Sequence, residues 1–437
     1  MQRLKAAAAV MLLASPSALA LEWNGLVGFG VWQSDNETRS SSTEREETTF
    51  EPIVGLSLRE NTAALQIDAN YTAQRRLFKN DTFNDLTIVT GTGSLYWEAL
   101  PNRFDLTVLQ NNTESTNQFF ARGDQGSRQE VRTTEATPRL RFRVRGTDEL
   151  QFSYRYRNLS QERFDVASET QDLIGRYQIG LSERTQLNLE YINGDTEYDV
   201  ATAPELERRI VQATYSVQGD RSNFQLTGGE SEFVRTGRED TDGFTGNLLW
   251  TYNLANNSTM NLNIRRAITD GSDQFLNRGQ GLDPAVPGVQ PGNTDLIELF
   301  TTTGVRGEYR FAVGANQFTV SASYVENDFE DLPRDEERQD IGITWNRNLR
   351  RNLRSSVNLR HLDGSFEQLT SAAFDQIFAN VGVFWEPVRN FEIIFRAQYV
   401  DRDGAAIAGN FDETRVYVGV IYEFGKGQGV TRTIRTR

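Results

Sequence analysis

The sequence predicts an all-β chain: one large antiparallel transmembrane barrel of about twenty strands, or eighteen if two hairpins merge. Three observations carry this. First, nine tight polar turns are each followed by a run alternating apolar and polar residues, starting at Leu65, Phe104, Leu150, Leu187, Phe224, Met260, Phe318, Leu353 and Phe391. Second, successive starts lie 39, 46, 37, 37, 36, 58, 35 and 38 residues apart, a near-constant period that runs from end to end without a linker. Third, one face of several runs begins apolar and ends in tyrosine. Examples are Phe391, Ile393, Phe395, Ala397 and Tyr399; Phe318, Val320, Ala322 and Tyr324; and Leu150, Phe152, Tyr154 and Tyr156. Phe391 to Tyr399 covers roughly 20 Å along the membrane normal at ~3.3 Å per residue and ~40° tilt, close to the ~25 Å apolar band bounded by aromatic girdles.

The N-terminus reads as a targeting segment. Arg3 and Lys5 precede the apolar stretch Ala6 to Leu13, and Ala18-Leu19-Ala20 forms a small-residue cleavage site. Residues 1–20 are therefore expected to be a secretory signal peptide, leaving a barrel over 21–424. The first strand then starts at Glu22-Trp23, which leaves no room for an N-terminal plug. The Gly- and Arg-containing stretch 425–437 is expected to be a disordered periplasmic tail.

Short periplasmic turns are placed near Arg59 to Thr62, Pro101 to Arg103, Gly146 to Glu149, Ser182 to Thr185, Gly219 to Ser222, Asn256 to Ser258, Gly314 to Asn316, Arg350 to Asn352 and Val388 to Asn390. The long polar segments between them become ten outer loops. An even strand number with both ends in the periplasm fits bacterial single-chain barrels, so the expected location is the outer membrane and its lipid the first partner. The longest loop, Gly271 to Asn293, holds three prolines and five glycines. It is either a constriction or a flexible outer loop.

Composition narrows the chemistry. The chain has no cysteine, three lysines, and 46 basic against 60 acidic residues. Without Arg3 and Lys5 the balance is 44 against 60, a net charge of −16, which argues against nucleic acid as a partner. The absence of cysteine excludes disulfides and thiol chemistry. No cofactor or metal motif is present: Asp401-Arg402-Asp403-Gly404 lacks the spacing of a metal loop. The single histidine, His361, precedes Asp363 and Ser365, but no nucleophile pattern surrounds that serine. No enzyme is expected.

The inward faces are hydrophilic, as in Gln66, Asp68, Asn70 and Thr72, or Thr319, Ser321 and Ser323. One inward patch stands out. Arg139, Arg141, Arg143 and Arg145 alternate with Leu140, Phe142 and Val144, and the next strand adds Arg155 and Arg157. Six guanidiniums on adjacent strands would guide an anionic solute if free, or pair with acidic residues across the lumen. The acidic balance favours pairing.

The last run, Tyr417-Val418-Gly419-Val420-Ile421-Tyr422-Glu423-Phe424, carries an aromatic, a glycine, an aromatic and a terminal phenylalanine at Tyr417, Gly419, Tyr422 and Phe424. It resembles the recognition strand of proteins inserted by the barrel assembly machinery, which is therefore an expected partner. The segments Phe50-Glu51-Pro52-Ile53-Val54-Gly55-Leu56, Gly126-Ser127-Arg128-Gln129-Glu130-Val131-Arg132 and Thr137-Pro138-Arg139-Leu140-Arg141-Phe142 resemble the uncharacterised outer-membrane β-barrels associated with exopolysaccharide and PEP-CTERM/exosortase systems. The resemblance implies a barrel linked to polysaccharide or surface-protein export, with export-system components as partners. The functional expectation is an outer-membrane pore or export channel, with a non-conducting scaffold and a rim hydrolase centred on His361 as alternatives.

Overall fold

A computed structural model describes residues 21–116, 128–161, 166–200, 203–271, 298–331, 335–367, 372–406 and 409–425. The expected signal peptide, the tail beyond Gly425 and the loop from 272 to 293 lie outside the described residues. The first five strands are β1 Glu22–Ser34, β2 Glu47–Asn61, β3 Leu65–Phe78, β4 Leu86–Leu100 and β5 Phe104–Thr116. Next come β6 Arg128–Arg145, β7 Asp148–Gln161, β8 Val166–Ser182, β9 Thr185–Tyr198 and β10 Leu206–Gln218. The third group is β11 Ser222–Arg235, β12 Thr241–Ala255, β13 Ser258–Asp270, β14 Leu299–Val313 and β15 Asn316–Phe329. The last are β16 Glu336–Arg350, β17 Leu353–Phe366, β18 Phe374–Val388, β19 Phe391–Gly404 and β20 Phe411–Gly425.

Each strand pairs antiparallel with its sequence neighbours, and β20 returns to pair with β1 over Arg415–Gly425, which closes a twenty-stranded barrel. The count is twenty, not eighteen. All nine short turns are present. The first is shifted: β2 runs on to Asn61, so the chain reverses at 62–64 rather than from Arg59. β20 extends one residue past the expected barrel end, with Gly425 opposite Asn24.

The two faces follow the alternation. Phe142, Phe152, Leu173, Val211, Ile341 and Phe395, from six strands, are each at least 45% exposed on the outer surface. So many bare apolar side chains on one continuous surface fit hydrocarbon, not water. Among the described residues no helix is long and apolar enough to cross a membrane; the strands make the crossing, and the barrel is an outer-membrane one.

The closing seam is packed on its inner side too. Leu26, Ile53, Phe384, Ile394, Tyr417 and Ile421 form a buried cluster on β1, β2, β18, β19 and β20. Tyr417 packs against Trp32 with ring centroids 4.5 Å apart and lies across Gly30, where a Cβ would fall 2.4 Å from its ring. Tyr417 and Gly419 thus face the lumen, while Tyr422 and Phe424 are exposed on the lipid side.

The face assignment yields a direct test. Phe395→Arg sets a guanidinium near the middle of the lipid-facing side and should cost about 2–4 kcal/mol. Gln225→Arg, facing water in the lumen, should stay within ~0.5 kcal/mol of wild type. Urea unfolding of the lipid-refolded barrel measures both, and equal costs would refute the assignment.

Candidate functional site: the lumen and its outer mouth

Twenty strands spaced ~4.8 Å apart and tilted ~40° enclose a backbone circle of roughly 20 Å radius. The function therefore depends on what narrows that space. The arginine patch is partly neutralised, near the periplasmic side around Asp105 and in the outer half of the wall around Asp172. Arg139 and Arg141 both bind the buried Asp105, at 3.2 and 2.7 Å, and Arg141 also reaches Glu98. One strand on, Arg155 lies 2.8 Å and Arg157 3.5 Å from Asp172, a carboxylate of zero exposure. β10 contributes a further guanidinium to it, since Arg208 donates from Nε and Nη2 to Asp172 at 2.8 and 2.6 Å. Arg143 and Arg145 are exposed and make no ion pair among the described residues. The pairing reading holds for four of the six arginines.

The outer end has a feature that the alternation does not reveal: the wall overlaps itself at two places. Between β12 and β13 the ladder stops at Gly246 and Arg266, yet β13 goes on pairing with β14 up to Asp270 and Leu299. Ile268 and Leu299, on the side that faces lipid lower down, join Leu206, Phe233 and Tyr198 in one buried cluster. The last three belong to the lumen faces of β10, β11 and β9. Ile268 also packs on Gly243 of β12, and the Tyr198 hydroxyl donates to Asp270 at 2.6 Å. An outward face can meet inward faces only if the β13–β14 tip passes inside the wall. Asp331, after β15, fastens it by accepting from Arg235 and Arg238, and Arg238 also binds Glu298.

The second overlap lies between β4 and β5. Their ladder ends at Gly91 and Asn112, although β4 continues against β3 to Leu86 and β5 against β6 to Thr116. Beyond the split, Glu114 leaves its lipid-side alignment and takes two bonds from Arg76 on the lumen face of β3, at 2.7 and 3.1 Å. Arg76 also binds Glu51 of β2. Glu130 accepts from the Val89 amide at 3.2 Å, which β5 has left unpaired. Gly91 sits at the branch point with φ +155°, and a Cβ there would lie 2.2 Å from the Asn70 carbonyl oxygen. Only glycine fits.

The first outer loop, 35–46, folds onto the same side. Asn36, Glu37 and Ser40 are buried, and Asn36 donates to the Asp412 carbonyl at 2.9 Å. Glu37 pairs with Arg415 at 2.9 Å and Arg39 with Glu413 at 2.8 Å, both on the lumen face of β20. Burial raises the Glu37 pKa, and the neighbouring Arg415 only partly offsets it. At the opposite clasp burial works against the Asp331 carboxylate, but bonds from Arg235 and Arg238 outweigh it and lower its pKa.

The described residues of the outer loops between these strand ends hold fifteen acidic and four basic side chains, a net of −11, so the described part of the outer mouth is strongly acidic. His361 lies on the outward face of β17, with Nε2 2.9 Å from the Asp375 carboxylate. Ser365, four residues along the same strand, is roughly 13 Å away at ~3.3 Å per residue. The two cannot act together. Among the described residues no group of three His, Asp or Glu could hold a metal ion.

No protein-family model matches the chain, and no curated protein sequence matches it. Solved structures do. The siderophore receptor PirA of Acinetobacter baumannii has a TM-score of 0.50 at 8% identity, over 93% of this chain and 81% of the receptor. The outer membrane protein OpdK of Pseudomonas aeruginosa has a TM-score of 0.43 at 11% identity, over 93% and 99%. The first likeness establishes the shared outer-membrane barrel fold.

Two predictions follow from these contacts. Asp172→Asn leaves Arg155, Arg157 and Arg208 around a neutral amide and should destabilise the barrel by about 3–5 kcal/mol. Exposed Arg143→Gln should stay within ~0.5 kcal/mol; urea unfolding distinguishes them. The second concerns pH. A raised Glu37 pKa means that the cost of burying its side chain falls as it is protonated, which outweighs the lost charge attraction to Arg415, so burial of Glu37 becomes more favourable as pH falls. The lowered Asp331 pKa means its clasp is fully formed above 3.8 and is lost only below. Acidification from pH 7 to 5 should therefore not widen the mouth, and channel conductance in planar bilayers should not rise.

Proposed function

We propose that the protein is an outer-membrane channel for polar solutes whose outer mouth is narrowed by its own wall. The observation that carries this reading is the closed twenty-strand sheet with a polar inner face, entered past two overlapped hairpins and an inturned first loop. The paired arginines weaken the case for an anionic solute, and a mouth whose described loop residues carry a net charge of −11 would repel one from outside. Export of an exopolysaccharide or a surface protein, which the family resemblance implies, is the finer form of the proposal. Loss of secreted polysaccharide in a deletion strain would support it.

A non-conducting scaffold is the second reading, favoured by the interlocked Arg39, Glu413, Arg415 and Glu37 at the mouth. Planar-bilayer recording separates the two. The channel reading expects discrete conductance steps, which rise when Tyr198→Phe and Asp331→Asn together release the β13–β14 tip or when residues 271–293 are removed. Silence in all three proteins would refute the channel and favour the scaffold.

A further inference from the structure

The lumen wall has two chemically different sides. Over β5–β10 it is laced with ion pairs, centred on Asp105, Asp172 and the Arg176–Glu190 pair. Over β15–β19 one level runs straight across five strands without a charge. Thr319 stands opposite Thr344, Thr344 opposite Asn358, Asn358 opposite Asn380, and Asn380 opposite Gln398. All five share the lumen side of their strands. One step outward, opposite Val400, Phe378 turns a half-buried ring to the same side.

Arginines border this row: at its own level Arg310 pairs with Glu308 and Arg415 with Glu37 and Glu413, and one step toward the periplasm Arg396 lies over the rings of Phe384 and Tyr417. Arg360 pairs with Asp340 on the outer side, and Arg354 binds Glu392 at 2.8 Å on the periplasmic side. Within the row Asn358 donates to Thr344 at 2.7 Å. The Asn380 Oδ1 is shielded from solvent and accepts no hydrogen bond among the described residues. Amides and hydroxyls both donate and accept, as the hydroxyls of a sugar do, whereas a carboxylate needs a guanidinium or ammonium. An aromatic face beside them receives the C–H face of a pyranose.

We propose that the row Thr319, Thr344, Asn358, Asn380 and Gln398, with Phe378, is a binding lane for uncharged polyhydroxylated solutes, that is, neutral oligosaccharide segments. This rests on the channel reading for its purpose, but binding can be measured without conduction. The acidic outer mouth agrees with it, because a neutral chain passes such a mouth without repulsion.

The test is isothermal titration calorimetry on the full-length folded barrel in detergent, with maltohexaose as probe. A polyethylene glycol of equal mass controls for volume and hexagalacturonate for charge. Maltohexaose should bind in preference to both. Affinity should fall by about 5–10-fold for each hydrogen bond lost in Asn358→Leu/Asn380→Leu, and likewise in the near-isosteric Thr344→Val. Phe378→Ala should weaken it further. Heat-dependent gel mobility checks that each variant is folded. The absence of maltohexaose binding, equal binding of the polyether, tighter binding of hexagalacturonate, or unchanged affinity in folded Thr344→Val would each overturn the lane. Binding that depends on these residues in a barrel that passes no current would support the lane and refute the channel.

Discussion

The structure depends on one constraint: inside the bilayer every backbone N–H and C=O must find its partner within the sheet, because hydrocarbon offers none. A sheet meets that demand only by closing. Here closure falls to β20, which joins β1 along eleven residue pairs from Asn24–Gly425 to Ser34–Arg415. The seam's lumen-side packing follows. Tyr417 and Trp32 fill the space over Gly30, and Leu26 and Ile421 are almost wholly buried beside them. A strip of apolar core inside a wet lumen thus holds together β1 and β20, the neighbouring pair that is not consecutive in the chain.

The same constraint explains where the wall splits. Both interruptions of the ladder, after Gly91–Asn112 and after Gly246–Arg266, lie on the outer side of the barrel. Beyond the lipid, water and side chains can satisfy a backbone group that a neighbouring strand has left, as Glu130 does for Val89. The strand edges are then free to turn inward and bury Ile268 or Glu114 against the lumen faces of other strands. An internal mouth made from the wall itself needs no separate plug domain, and it places the acidic outer loops around a reduced opening.

Much of the fold was legible because a membrane strand has a simple code. Period-2 alternation gave the two faces, and turn residues gave the nine reversals. Tyrosines such as Tyr399 and Tyr324 gave the height of the interface. The pairing of Arg139 and Arg141 was expected from charge balance alone, though not its partner Asp105, which is fixed by register across β4–β6. Three things were hidden. The inward apolar cluster breaks the polar-inside rule for reasons of closure. The overlaps depend on where two ladders end, and nothing in Asn112 or Arg266 announces that. The uncharged row on β15–β19 exists only once five registers are known, since its members lie from 14 to 25 residues apart in sequence.

Charge placement ties these features together. On the lumen face of the lower wall Asp105 and Glu190 are paired with guanidiniums, so there the wall presents dipoles rather than net charge to the water. A dense group of carboxylates stands outside, on the described outer-loop residues around a narrowed entrance, where the Debye length of ~8 Å at physiological salt lets it act across the opening only if that opening is small. A wide twenty-strand pore would make those loops electrostatically irrelevant to a solute on the axis. The overlaps bring the wall inward and so give the acidic rim its reach. For the channel we propose, selectivity follows from charge at the outer mouth and, below it, from which of the two walls a solute can hydrogen-bond.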